Sequence, residues 1–213
     1  MIERKTIQII VAIVAAVWLI FALLEGQPLL PTPLKLYSVG VTAATFAFLA
    51  YERYLWKWPL VRRFTGLPNL DGTWRGTLVS SYLRDGQPIP PIPTVLRIKQ
   101  TAASISVTLM TAESSSISEQ AKLIREADGR WRLSWLYANT PRQSVRHRSE
   151  RHQGACYLYI GSSSADGLRG EYFTDRLTLG ELHMTEWSSH KHDSADSALA
   201  GGDFRAPRPF ADS

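Results

Sequence analysis

The chain has 213 residues, with 24 Lys/Arg against 19 Asp/Glu for a formal net charge of +5. The excess is concentrated: residues 1–66 carry seven basic and three acidic groups, while residues 67–213 carry 17 and 16. That distribution excludes a basic nucleic-acid face as the main feature of the larger part, and the single cysteine, Cys156, excludes an intramolecular disulfide framework.

The first quarter is dominated by two apolar segments. Residues 7–24 (IQIIVAIVAAVWLIFALL) contain one polar residue, Gln8, over about the length a bilayer core demands. Residues 36–51 (LYSVGVTAATFAFLAY) are shorter and softened by Ser38, Gly40, Thr42 and Thr45. The connection, with Glu25, Gly26, Gln27 and Pro28, lacks a small-residue cleavage pattern, so the pair is expected to be a transmembrane helical hairpin over residues 1–63. Arg4 and Lys5 precede it, and Arg53, Lys57, Arg62 and Arg63 follow it. The positive-inside rule therefore predicts both termini in the cytoplasm, with Tyr51, Tyr54, Trp56 and Trp58 as an interfacial aromatic belt. A multi-pass membrane location follows from this reading. Ala12 and Ala16, and Gly40 and Ala44, are small pairs that let helices approach closely.

Residues 64–188 alternate apolar and polar side chains with period two and show no helical stretch. Strands are expected over 73–84, 94–100, 104–111, 116–126, 130–138, 155–160, 168–175 and 180–187. Asp85-Gly86, Asp128-Gly129 and Asp166-Gly167 mark the tight turns. Eight short strands joined mostly by hairpins predict an antiparallel up-and-down β-barrel, a strand number at which a sheet can close around side chains or one small ligand. Alternation places Trp74, Leu78 and Ser80 on one face, Leu96, Ile98 and Gln100 on another, and Leu133, Trp135 and Tyr137 on a third. Cys156, Leu158 and Ile160 share a face, as do Gly170, Tyr172 and Thr174. One pattern recurs in these sets, apolar at one end and Ser, Gln, Tyr or Thr toward the other, which is consistent with a pocket and equally with polar groups that satisfy one another at a wet rim.

No catalytic constellation is found, so no enzymatic activity is expected. Ser114–Ser116 and Ser162–Ser164 have no neighbouring base. His190-Lys191-His192-Asp193 lacks a closed ligand set and reads as solvated tail, so no metal is expected. Arg142, Arg146, Arg148 and Arg151 stand against Glu150 alone; this run reads as a solvated loop or as a lip that draws an anion to the barrel. Residues 189–213, rich in Ser, Ala, Asp and Gly, are expected to be disordered.

Two N-terminal spans, LPNLDGTWRGTL (residues 67–78), YANTP (137–141) and LRGEYFTDRLTLG (168–180) together resemble a bacterial family. It comprises the two-transmembrane, β-strand-rich effectors that accompany cyclic-oligonucleotide synthases (CD-NTases) in CBASS antiphage defence. Its most specific elements here are Leu70-x-Gly72-x-Trp74-x-Gly76 and Tyr172-Phe173-Thr174-Asp175-Arg176, and His152-Gln153-Gly154 departs from a His-Arg-Gly-like turn. The resemblance implies a barrel that senses a cyclic di- or oligonucleotide and triggers self-association of the membrane helices, membrane disruption and death of the infected cell. No other cofactor is implied. A phosphate-bearing ligand needs a cation, aromatic surfaces and small hydroxyl or amide groups. The expected ligand-binding residues are Arg176, Tyr137, Tyr172, Ser80, Gln100, Thr108 and Thr174. Trp74 is expected to plug the barrel, with Asn139 and Pro141 shaping a turn. The alternatives are a lipocalin-like barrel for a small apolar molecule and a solid barrel that only displays a surface.

Overall fold

A computed structural model describes residues 33–147, 149–161 and 167–207, together with positions 12, 15, 16, 19, 20 and 23, which are helical. The rest of the first expected span, Arg148, the serines at 162–164 and residues 208–213 lie outside the described residues. The chain divides into two compact units, one of residues 1–67 with 101–103 and one of residues 68–100 with 104–213.

In the first unit, α1 (Pro33–Arg53) contains the second expected span. Val39, Val41, Phe46 and Leu49 on it are exposed, and the Thr45 hydroxyl satisfies itself on the Val41 carbonyl at 2.8 Å. A short 3-10 turn (Leu55–Lys57) leads to α2 (Pro59–Thr65), which starts with proline at its first turn and ends at Gly66. Tyr54, Trp58, Leu60 and Phe64 are exposed around it. Among the described residues, no helix is long and apolar enough to cross a membrane.

The second unit is the barrel. Its strands are β1 (Gly72–Ser80), β4 (Ile92–Gln100), β5 (Ile105–Met110), β6 (Ser114–Arg125), β7 (Trp131–Pro141), β8 (His152–Ile160), β9 (Leu168–Thr174) and β10 (Leu179–Ser188). All pairings are antiparallel, and β1 closes the sheet by pairing with both β4 and β10. The expected eight-stranded closed barrel is therefore the observed fold. The proline-rich connection adds a small hairpin, β2 (Leu83–Arg84) and β3 (Gln87–Pro88), around Asp85-Gly86. Both turn residues have positive φ, 53° and 78°, as a two-residue hairpin matched to strand twist requires.

The interior is built as two halves. Leu70, Trp74, Leu96, Ile98, Leu133, Leu158, Leu168 and Met184 are completely or almost completely buried in one half. The segment before β1 folds across that end. There Gln100 accepts from the Leu70 amide through Oε1 (2.8 Å) and donates through Nε2 to the Pro68 carbonyl (2.9 Å). The Trp74 indole donates to the Leu70 carbonyl at 2.9 Å. Trp74 is thus the expected plug, and Gln100 fastens the same end rather than lining a pocket.

The expectation of a disordered tail is overturned for residues 189–207. A six-residue helix, α3 (Ala195–Ala200), is capped by Ser194 and packs Ala195 and Ala198 against Val95 and Met110 on the outside of the barrel, with Leu199 and Phe204 alongside. A backbone bridge joins Trp187 to Arg205. Composition concealed this because small alanines suffice to cover two apolar side chains that would otherwise face solvent.

Candidate ligand site at the open end of the barrel

The half of the interior opposite the Trp74 plug is a cavity of about 400 Å³, within the usual size range of small-molecule sites. Its floor is apolar, with Leu78, Leu109, Trp135, Cys156 and Leu182. Its wall is made by Ser80, Ser116, Tyr137, Asn139, His152, Tyr172 and Thr174, and its rim by Tyr82, Arg84, Glu113, Arg176 and Thr178. Burial pushes the Cys156 thiol well above its ordinary range, so it serves as packing and not as a nucleophile.

Two tyrosines dominate the wall, and each is seated by a glycine on the neighbouring strand. A Cβ on Gly154 would lie 2.5 Å from the Tyr137 ring carbon Cζ and hydroxyl; one on Gly180 would collide with the Tyr172 ring. These glycines let two aromatic rings lie flat against the sheet inside a narrow barrel. Burial raises the Tyr137 and Tyr172 phenols above their ordinary value, so both remain protonated donors. The nearby Ser80 side chain works against that rise at Tyr172.

A polar relay crosses the opposite wall. The Ser116 hydroxyl donates to Asn139 Oδ1 at 2.7 Å. The Asn139 amide nitrogen lies 3.3 Å from His152 Nδ1, which is 3.2 Å from the Glu150 carbonyl. Burial lowers the His152 pKa, with the Arg176 charge adding to that effect. On the β9–β10 turn, Thr174 and Thr178 share a hydroxyl hydrogen bond of 2.6 Å, and Thr174 Oγ1 accepts from the Arg176 and Thr178 amides. That turn holds Arg176, exposed at the rim, with its charge near both tyrosines.

The structure therefore gathers Ser80, Tyr137, Tyr172, Thr174 and Arg176 around one cavity, as expected. It does not bring Gln100 or Thr108 there. Gln100 is on the inner face but at the plugged end. Thr108 is on the outer face: Ile105, Val107 and Leu109 take the inward positions of β5, and alternation turns residue 108 away. The arginine lip is only partly formed among the described residues. Arg142 pairs with Asp196 at 2.9 Å, and Arg146 donates to the Pro141 carbonyl at 3.3 Å.

Sequence reasoning missed Asn139, His152, Ser116 and Arg84. Two were readable by parity, since Asn139 continues Leu133-Trp135-Tyr137 and His152 continues Ile160-Leu158-Cys156. Ser116 was hidden by a register shift on β6 between Ser118 and Gln120. The rim position of Arg84 depends on the small hairpin.

A hydrophobic floor, two flat aromatic rings, a set of neutral donors and a cationic rim suit a flat, polar, anionic small molecule. Comparison with known proteins points the same way. Residues 65–186 match the family model described as Cap15, cyclic dinucleotide receptor domain. A CD-NTase-associated protein 15 of Staphylococcus schleiferi is 30% identical over 151 residues, covering 71% of this chain and 79% of that protein. One of Escherichia albertii is 27% identical over 165 residues, covering 75% and 79%. With the family model matching residues 65–186, more than half of the chain, the chain belongs to the Cap15 family.

Proposed function

We propose that the barrel is the receptor half of a CBASS antiphage effector and that its open end binds a cyclic dinucleotide supplied by a CD-NTase. The carrying observation is the cavity with its apolar floor, polar wall and cationic rim, whose lining lies wholly within the segment matched by a cyclic dinucleotide receptor family. Arg176 and Arg84 would meet phosphate. Tyr137 and Tyr172 would present ring faces to the bases and hydroxyls to phosphate or ribose. Ser80, Asn139 and Thr174 would complete the polar contacts. Nothing in this role requires catalysis, and the site acts as a receptor.

The action belongs to the N-terminal unit in this reading. Residues 7–24 are a bilayer-length apolar run, α1 carries exposed Val, Phe and Leu side chains, and basic residues flank both segments. These features support a helical hairpin in the inner membrane with both termini cytoplasmic, self-associating and disrupting the membrane when the barrel is occupied.

The test is calorimetric titration of the full chain in lipid nanodiscs against a panel of cyclic di- and trinucleotides, paired with ligand-dependent dye release from vesicles. Saturable binding by at least one cyclic nucleotide is expected, because a ligand bound only by the folded state also raises the unfolding temperature. No heat and no thermal gain across the panel would refute the receptor reading. Binding without dye release would refute the membrane half alone. An apolar fluorescent probe run alongside tests the lipocalin-like alternative, which requires that probe to bind and the nucleotides not to.

A further inference from the structure

The two histidines that the sequence leaves in a solvated tail come together around a carboxylate from further along the chain. His192 is buried. Its Nε2 lies 3.2 Å from Asp203 Oδ1 and 3.3 Å from Oδ2, and its Nδ1 lies 3.1 Å from the Ser197 hydroxyl. The His190 ring meets it edge-on at 4.6 Å between centroids, and Phe204 stacks on it at 5.3 Å. One donor atom each from His190, His192 and Asp203 lies within 4.8 Å of the others. We propose that these three residues bind a divalent transition-metal ion of the zinc class, with a fourth position left to water, and that the ion fastens the C-terminal segment to the barrel.

The donor chemistry selects the ion. Two imidazoles and one carboxylate suit zinc and its neighbours, whereas calcium and magnesium take oxygen ligands. The geometry is close to what zinc needs. Bonds of about 2.0–2.2 Å in a tetrahedron put neighbouring donors about 3.3 Å apart. The His192–Asp203 edge already has that length. His190 is exposed, so rotation of its side chain closes the remaining edges without disturbing packed groups.

The surroundings hold the donors in place. Thr73 Oγ1 donates to the His190 carbonyl at 2.7 Å and accepts from the His192 amide at 3.1 Å, which pins both histidines to β1. The Ser197 hydroxyl on Nδ1 orients the His192 ring, in the manner of an outer-shell partner. The Ser188 hydroxyl bonds Asp203 and, with His192, holds its carboxyl below the usual range. Nearby cations have anionic partners: Arg75 pairs with Glu186, Arg97 with Asp193 and Lys191 with Asp71. Residues 190–203 lie beyond the segment matched by the family model.

A simple His192–Asp203 hydrogen-bonded clasp would need neither metal nor His190, and this separates the two ideas. The full chain in detergent is stripped with chelator, loaded with zinc alone, gel-filtered and analysed for metal. The expected result is about one zinc per chain, with slower tryptic cleavage at Lys191 and Arg205. His190→Ala is expected to lose the zinc while keeping its chelator-treated unfolding temperature, because its ring is exposed. Asp203→Asn should lose the zinc as well. Failure of the wild-type chain to retain zinc, or equal retention by His190→Ala, would overturn the proposal.

Discussion

Gly154→Ala tests the idea that Tyr137 is a binding surface seated by its neighbour. The added methyl would stand 2.5 Å from the Phe173 carbonyl oxygen on β9 and 2.5 Å from Tyr137 Cζ and Oη. The carbonyl belongs to the barrel ladder and yields little, so the ring must swing toward the cavity. Overpacking of this kind costs about 1–3 kcal/mol, or roughly 3–12 °C in unfolding midpoint for a domain of this size. Losing one stacked base is worth about 1–3 kcal/mol, so cyclic dinucleotide affinity should fall roughly 5- to 150-fold. The assay is calorimetric titration of the full chain in nanodiscs at a temperature where the variant is folded, with Tyr137→Leu and the double variant completing a cycle. Adding Gly154→Ala to Tyr137→Leu should cost little further affinity, since no ring remains to displace. An unchanged Kd for Gly154→Ala, or full additivity in the double variant, would refute the reasoning.

Three further outcomes are expected. Arg176→Ala should leave the unfolding midpoint unchanged, because the side chain is exposed, yet weaken ligand roughly 10- to 150-fold by removing a charged contact worth about 1.5–3 kcal/mol. Titrations at two salt concentrations check it, and undiminished affinity removes Arg176 from the site. Gln100→Leu strands the Pro68 carbonyl and Leu70 amide at the plugged end; about 2–4 kcal/mol of stability should go, with ligand affinity of the folded protein intact. A tenfold affinity loss would return Gln100 to the binding residues. Finally, burial lowers the His152 pKa below its unfolded value, so the unfolded chain takes up the proton first. Its contribution is complete above about pH 6.5 and declines as pH falls toward the folded-state value. Urea midpoints across that window should slope less in His152→Gln, and equal slopes would exclude His152 as the cause.

Much of the barrel was legible because alternation is local. A strand with one face buried must place every second residue inward, and Leu133, Trp135 and Tyr137 or Cys156, Leu158 and Ile160 declare their face without reference to the rest of the chain. The two misplaced site residues show where that logic stops. Thr108 was assigned by its polarity, but its apolar neighbours Val107 and Leu109 take the inner face, and a one-residue slip reverses the side. Gln100 has the right parity and the wrong end. It closes β4, whereas Ser80 closes β1; adjacent antiparallel strands finish at opposite ends of the barrel.

The sequence by itself determined the number of barrel strands, much of the inward apolar set, the apolar character of the first quarter and the family resemblance. Each rests on patterns within a few residues or on motifs read in order. Tertiary structure decided which end of the barrel is plugged, because Pro68 and Leu70 meet Gln100 across some thirty residues. It also decided that Asn139 and His152 face each other and that the tail packs on the barrel with Asp203 against His192. Those facts depend on closure of β1 against β10 and on contacts between distant segments. Period and composition carry no record of them.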